Sequence, residues 1–395
     1  MAQAFAEPVR RVRLTFRDHD DLAHAHEPVR SELSAITSVG SCLFTANDEL
    51  ATVERLVWQD GGGYGRHQPF HMADFFELPD GADGGMDIEG LDVADGYLWV
   101  VGSHSLSRAK PKPHEHDAAE ALARLTEVRH RVNRHFLGRV PLVEGDQKGV
   151  LELAPEAGDG GKARHAASLK LGKKGGKLDA LLADDIHIGR FIGVPAKENG
   201  FDVEGIAARG DRVFLGLRGP VLRGWAMVLE LALEEKKPGQ LRPRRIGPDG
   251  RRYAKHFLDL AGLGIRELQA DGDDLLILAG PTMDLDGPVT LFRWPDFLET
   301  TEQNIVPASK IEKVLEIPYG AGIEHAEGMC WPGGDGVKRE LLVVYDMPSP
   351  DREHDDGATI DADVFSLERR AAKPPRRRKP VRASSRRTPR RSPAA

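Results

Sequence analysis

The sequence predicts an all-β fold of the β-propeller kind, and three observations predict it. A glycine-linked phrase returns along the chain. Each copy opens a run of short strands, close to four per copy. One strand is spare at the start of the chain and one is missing at its end. The clearest copy is Val203-Glu204-Gly205-Ile206-Ala207-Ala208-Arg209-Gly210-Asp211-Arg212-Val213-Phe214-Leu215-Gly216, a strand, a turn at Gly210-Asp211 and a second, mostly apolar strand. An earlier copy runs from Ile88-Glu89-Gly90-Leu91 to Gly102, and a later one opens Ala326-Glu327-Gly328-Met329-Cys330-Trp331 with its second strand at 341–345. Two weaker copies fit the same frame. One is Ser34-Ala35-Ile36 leading into 41–45; the other is Arg266-Glu267-Leu268-Gln269-Ala270, the turn Asp271-Gly272, and 275–280. Five recognisable repeat units predict five or six blades.

Taken in order, residues 12–16 alternate as a strand does, and 19–26 are polar loop. The first unit continues with strands at 52–58 and 71–78, joined by the flexible Gly61-Gly62-Gly63-Tyr64-Gly65. The second unit is interrupted by an insertion at about 107–186. There Leu122, Leu125, Val128, Val132 and Phe136 recur at spacings of three and four, which predicts an amphipathic helix over 115–136 acting as a lid. Residues 139–190 mix strand-like pieces with Gly/Lys-rich loops and a short helix at 178–182, with room for one degenerate blade. The third unit continues at 212–217, 226–231 and 253–260, and the fourth at 275–279, 289–294 and 311–317. The fifth has strands at 341–345 and 363–367 and then stops. Pairing it with the spare N-terminal strand would close the ring and remove two exposed edges. The propeller domain is thus 1–368. The Pro/Arg/Ser/Ala segment 369–395 cannot bury enough apolar surface to offset chain entropy, so it is expected to be disordered.

The bulk properties suit a soluble protein: 395 residues, 40% hydrophobic and 30% charged. No apolar run of about 18 residues is present to span a membrane, and the first residues carry no secretory apolar core. Two cysteines, Cys42 and Cys330, exclude a disulfide framework and any Cys-x-x-Cys site; buried, reduced thiols and a cytoplasmic location are expected. Twelve of the 55 basic residues fall in 369–395, which holds no acid, so the body is far more acidic than the net charge of −7 suggests. Such a tail would meet nucleic acid or another anionic surface without sequence preference, or the acidic body itself.

The phrases Asp87-Ile88-Glu89-Gly90-Leu91, Asn199-Gly200-Phe201-Asp202-Val203-Glu204-Gly205-Ile206, Gly102-Ser103-His104-Ser105 and Gly216-Leu217-Arg218-Gly219-Pro220 resemble a bacterial family catalogued as a domain of unknown function. The resemblance covers about 30–367. It extends distantly to the phytase-like, esterase-like propellers, which share the Asp-x-Glu-Gly opening. The Glu327-to-Trp331 stretch is similar to the lactonase and phosphotriesterase propellers, where the equivalent Glu binds a divalent metal. This likeness reaches Glu327 alone. The resemblance implies a fold and no established activity.

Equivalent positions of propeller blades face one central channel. Glu89, Glu204, Glu267 and Glu327 would therefore form a ring with Ser34, and Asp87 and Asp202 lie two residues upstream of Glu89 and Glu204. Crowded carboxylates hold protons or attract a hard cation such as Ca²⁺ or Mg²⁺, which makes Glu89, Asp202, Glu204 and Glu327 the candidate metal ligands. The competing reading is hydrogen bonding to the neighbouring blade. The second strands end on Asn47-Asp48, His104, Arg218, Thr282 and Asp346. Among these, His104 is a candidate general base and Arg218 a candidate clamp for phosphate or carboxylate. His325, beside Glu327, is a third candidate catalytic residue. His114-Glu115-His116-Asp117 reads as a helix start rather than a zinc site. The nucleophile-elbow, P-loop and dinucleotide motifs are absent. Two function classes stay open: a metal-assisted hydrolase of a small phosphate or carboxylic ester, and a non-catalytic propeller that binds a small molecule or protein on its loop face.

Overall fold

Strands paired in sequence order dominate the chain, because each strand and the next are joined by a tight turn. The computed structural model describes residues 5–17, 29–158, 163–283, 285–300, 302–333 and 339–368. The polar loop at 19–26 and the tail 369–395 lie outside the described residues. Five antiparallel sets of strands are traced. The first is Leu33–Val39, Cys42–Asn47, Thr52–Gln59 and Gly63–His71. The second is Ile88–Ala94, Tyr97–Gly102 and Leu137–Glu144, with Leu151–Leu153 outermost. The third is Asp202–Arg209, Arg212–Leu222, Trp225–Lys237 and Ala254–Asp259. The fourth is Gly264–Asp271, Asp274–Gly280, Val289–Trp294 and Glu312–Ile317. The fifth is His325–Cys330, Glu340–Asp346, Thr359–Ser366 and, from the other end of the chain, Arg10–Thr15.

The innermost strands of the five sets lie side by side in a closed ring. This is the β-propeller that the repeats predict. Each sheet buries both faces, so the central strands read as continuous apolar runs: Asp274–Gly280 and Val289–Trp294 are buried at every position. Five apolar clusters fill the five interfaces between neighbouring sheets. The one between the third and fourth sheets, for example, joins Phe214 and Val228 to Ile265 and Leu275. The inner strands approach closely, which explains the glycine of the phrase. A Cβ on Gly205 would stand 2.8 Å from the backbone nitrogen of Leu268 on the next inner strand.

The closing strand pairs as expected, antiparallel, from Arg10 opposite Val364 to Thr15 opposite Thr359. It also makes two parallel pairings with the outer strand of the first sheet, Arg13 with Gly63 and Leu14 with Tyr64. One strand therefore staples the first sheet to the fifth.

Several expectations are corrected. The helix over 115–136 is not formed. α-Helix covers Ala118–Arg124, with the Asp117 side chain capping it by accepting from the Glu120 N–H at 2.9 Å, and a separate 3-10 turn covers Val132–His135. Leu122, Leu125 and Val128 are exposed, so the apolar stripe has nothing to pack on and periodicity alone does not hold a helix together. Val128–Arg129 instead pairs with Ser107–Arg108, while Asp80 Oδ2 accepts the N–H of Asn133 at 3.2 Å and turns the chain inward. Nor is 107–186 one insertion: 137–144 is the third strand of the second sheet, and the pieces that follow it are short ribbons plus the helix Lys177–Leu182 rather than a further blade. In the first unit the fourth strand is Gly63–His71, not 71–78; Gly61 and Gly62 form the turn, and Gly63 and Gly65 belong to the ladder itself.

Candidate functional site

One irregularity, repeated in every innermost strand, builds the channel. Each ladder skips a residue, between Leu33 and Ala35, Ile88 and Gly90, Val203 and Gly205, Ile265 and Glu267, and Ala326 and Gly328. A bulged residue is released from the pairing and its side chain is re-aimed. The released residues are Ser34, Glu89, Glu204, Arg266 and Glu327. Four of them line a central cavity of about 380 Å³. The fifth, Ser34, donates to the carbonyl of Ile88 at 2.6 Å and ties the first inner strand to the second.

The fourth position corrects the sequence reading. Arg266, not Glu267, belongs to the ring. Glu267 is fully buried between the third and fourth sheets, where it accepts the Leu268 N–H at 2.7 Å; burial raises it well above the usual carboxylate range. The structure shows the slip in the turns, because the fourth turn is Gly272-Asp273 rather than Asp271-Gly272. Ser34, Glu89, Glu204 and Arg266 each stand six residues before the first turn residue, Gly40, Asp95, Gly210 and Gly272. Matching Glu to Glu slipped the fourth copy by one, and a slip of one residue turns a strand's side chain to the other face.

The cavity has two electrostatic halves. On one side Arg218 lies 2.6 Å from Asp202 Oδ2 and 2.6 Å from Glu204 Oε1, and Arg266 reaches Glu204 Oε2 at 3.3 Å and also pairs with Glu327. Burial pushes Asp202 up to about 7 even though Arg218 opposes the shift, and burial likewise raises Glu204 and Glu327. The other side holds Asp48, Asp87, Glu89 and Asp346. Asp87 pairs with Arg134 at 2.9 Å. Glu89 has no cationic partner among the described residues; burial, then the charges of Asp87 and Glu204, push it well above the ordinary range. Asp48 is pushed up to about 9 by burial and then by Asp87, Glu32 and Asp346, and its Oδ1 is buried without a hydrogen-bond partner among the described residues.

These shifts set a pH dependence opposite in sign to that of carboxylates held in strong ion pairs. A carboxyl raised in the folded state binds its proton more tightly there than in the unfolded chain. Its stabilising contribution is complete below the unfolded value of about 4 and is lost as pH rises through the folded value. For Asp202 and Asp48 the windows run up to about 7 and about 9. Thermal melts in chelator are expected to give a higher midpoint at pH 5 than at pH 8, and Asp48→Asn is expected to raise the pH 8 midpoint and narrow the gap. A midpoint that climbs from pH 5 to pH 8 would show that these carboxyls are not the dominant titrating groups.

The structure brings Glu89, Asp202, Glu204, Arg218, His325 and Glu327 together around this cavity, along with Asp48 and Asp346 from the strand ends. His325 sits at the mouth with Nε2 3.1 Å from Asp286 Oδ1. Arg134 and Lys197, which no repeat pattern marks, also line it. Arg218 is not a free clamp, since two carboxylates already hold it. His104 is not in the cavity lining at all. It is buried with Nδ1 3.2 Å from Asp179 Oδ1 and Nε2 3.2 Å from the carbonyl of Phe136. Burial alone would raise Asp179, but the neighbouring imidazoles of His104 and His135 bring it well below its usual value. His114-Glu115-His116-Asp117 leads into the helix as expected, with Asp117 as its cap, Lys112 paired with Glu115 and His116 with Glu120. Both cysteines are free and buried. Among the described residues no helix is long and apolar enough to cross a membrane.

In comparisons with solved structures the chain shares 10% identity and a TM-score of 0.36 with glutaminyl cyclase of Myxococcus xanthus, covering 92% of this chain and 100% of that one. For virginiamycin B lyase of Staphylococcus aureus the values are 8% and 0.33, with 90% and 99% covered. For the PQQ-bound aldose sugar dehydrogenase of Streptomyces coelicolor they are 15% and 0.33, with 91% and 100% covered. Likeness at this level says nothing about substrate. No curated protein matches the sequence. The family described as protein of unknown function DUF3616 matches residues 32–363, nearly the whole propeller, and the chain belongs to that family.

Proposed function

We propose that the central cavity is a small-molecule site for metal-assisted hydrolysis of a phosphate or carboxylic ester. The observation that supports this most is the acid-rich half of the cavity, where Asp48 and Glu89 form no ion pair among the described residues and Arg134 is taken up by Asp87. The donor set is all oxygen, which fits Ca²⁺ or Mg²⁺. No three of these carboxylates bring ligand atoms within 4.8 Å of one another, which suits a hard cation that keeps several waters and takes one or two carboxylates. Asp48 and Glu89 would hold it, with Asp87 kept by Arg134. Bound there, it would polarise an ester oxygen and activate water.

The chain's own groups would do the rest. Arg218 and Arg266, each divided between carboxylates, orient an anionic substrate group as Asp202 gains or loses its proton near neutrality. His325, at the mouth, carries a proton to or from solvent. Glu204 and Glu327 hold the two guanidinium groups in place.

At pH 8, added Ca²⁺ or Mg²⁺ is expected to raise the melting midpoint. Asp48→Asn and Glu89→Gln are expected to weaken that response at least tenfold, a loss of about 1.4 kcal/mol in binding. Turnover in a screen of phosphate and carboxylic esters should follow the same two variants. A second reading draws on the two neutralised arginines: the ring satisfies itself and the loop face binds a ligand or protein without chemistry. No midpoint shift with either cation, together with no ester turned over, would favour that reading.

A further inference from the structure

Outside the cavity, a second group of ligating side chains converges where the second sheet meets the helix Lys177–Leu182. His104, at the end of the second strand, His135, just before the third, and Asp179, in the first turn of the helix, place one ligand atom each within 4.8 Å of one another. His104 Nδ1 is 3.2 Å and His135 Nδ1 3.0 Å from the same oxygen, Asp179 Oδ1. Donors bound at about 2.0–2.1 Å to one tetrahedral ion stand about 3.3 Å apart, so these spacings are those of ligands around a shared ion.

Two observations separate this from an ordinary buried ion pair. His135 is 5% exposed, and its Nε2 has no hydrogen-bond partner among the described residues, while its Nδ1 is in ion-pair contact with Asp179 at 3.0 Å. A buried polar atom without a partner is costly and calls for an occupant. His104 holds a left-handed backbone at φ 54 with its Nε2 fixed on the carbonyl of Phe136 at 3.2 Å. An imidazole nitrogen donating to a backbone carbonyl is the arrangement that orients the opposite nitrogen toward a metal. Asp179 is held in its turn, since its Oδ2 accepts the Gly176 N–H at 3.0 Å and leaves Oδ1 to the two histidines.

We propose that His104, His135 and Asp179 bind a borderline transition metal of the Zn²⁺ type, with water in the fourth position. Two imidazoles and one carboxylate favour Zn²⁺ and its neighbours over the Ca²⁺ or Mg²⁺ suited to the cavity. Access is short. The exposed His130 ring lies over His135, with centroids 4.8 Å apart, so the site is one side chain from solvent. The set leaves one position open to water, and within this proposal the ion also tethers the fold. The three ligands come from segments that sequence separates widely, and the helix carrying Asp179 is otherwise held by burial of Leu178 and Leu182 against the cluster between the second and third sheets. The ion locks that helix to the second sheet. This proposal stands independently of the hydrolase reading.

The test is direct binding of the metal alone to the full chain. Protein stripped with chelator is titrated with Zn²⁺, and separately with Co²⁺, whose visible absorption reports a low-coordinate nitrogen/oxygen site. One equivalent of Zn²⁺ surviving dialysis, a raised melting midpoint and a Co²⁺ spectrum are expected. His135→Asn should weaken Zn²⁺ binding at least 100-fold, and Glu89→Gln should leave it unchanged. His104→Asn serves as a second variant if His135→Asn does not fold. Absence of a retained equivalent in the native chain overturns the proposal. So does Zn²⁺ binding that survives His135→Asn or His104→Asn, or that is lost in Glu89→Gln.

Discussion

Arg218→Met is expected to lower stability by about 3–5 kcal/mol at pH 7.5, because it leaves two buried carboxylates without their shared cation. Asp202 and Glu204 are 1% and 3% exposed and each lies 2.6 Å from the guanidinium, so neither can turn to water once it is gone. Arg266 reaches Glu204 but not Asp202, and it is already divided with Glu327. The loss should shrink at pH 5, where Asp202, already pushed up to about 7 in the native protein, is protonated. Asp202→Asn in the Arg218→Met background should recover part of the loss, since it removes the charge and keeps the shape. Chemical denaturation at the two pH values, on the single and double variants, measures all of this. A loss below about 1 kcal/mol at pH 7.5 would mean that solvent in the channel screens the carboxylates.

The closing strand should be nearly as sensitive. Leu14 is fully buried in the cluster between the fifth and first sheets, opposite Ile360 on one side and beside Tyr64 on the other. Leu14→Asp places a charge there with no partner and is expected to cost more than about 4 kcal/mol. It breaks the strand that joins the first and fifth sheets, so two edges open together and aggregation should accompany unfolding. Leu14→Ala removes packing without adding charge, and about 2–5 kcal/mol is expected. Denaturation midpoints and light scattering of the two variants separate the packing loss from the opened edges. If Leu14→Asp remains monomeric with an unchanged midpoint, the strand does not hold the ring closed.

Arg13, on the same strand, shows how sharply burial alternates. Its backbone pairs with Gly63 and Asp361 while its side chain stays in water. Substitutions there should be nearly silent, as is usual for exposed charges.

Sequence alone determined most of the fold. Apolar strands with tight Gly/Asp turns announce themselves locally, because two residues of turn chemistry and the period of a strand are short-range properties. That is why the third, fourth and fifth units lie within a few residues of where the pattern puts them, and why the spare strand at 12–16 could be assigned to the short fifth sheet. Three members of the ring, Glu89, Glu204 and Glu327, were legible too, as the residue before a phrase glycine. Its meaning was not. Whether Arg266 or Glu267 faces the channel depends on a bulge, and the bulge follows from how two inner strands press together rather than from either strand alone. The state of Arg218 depends on Asp202 and Glu204 across a hairpin, and the charge on Glu89 depends on carboxylates contributed by other sheets.

The helix over 115–136 failed for the complementary reason. A periodic apolar stripe forms a helix only where a surface exists to receive it, and at 122–128 none does. His104 met Asp179, 75 residues away, only because the segment between them folds back on the second sheet. Strand periodicity and turns are written in neighbouring residues. Protonation, ion pairing and ligand geometry belong to groups that only the closed ring brings within a few ångströms, where burial removes the water that would otherwise screen them.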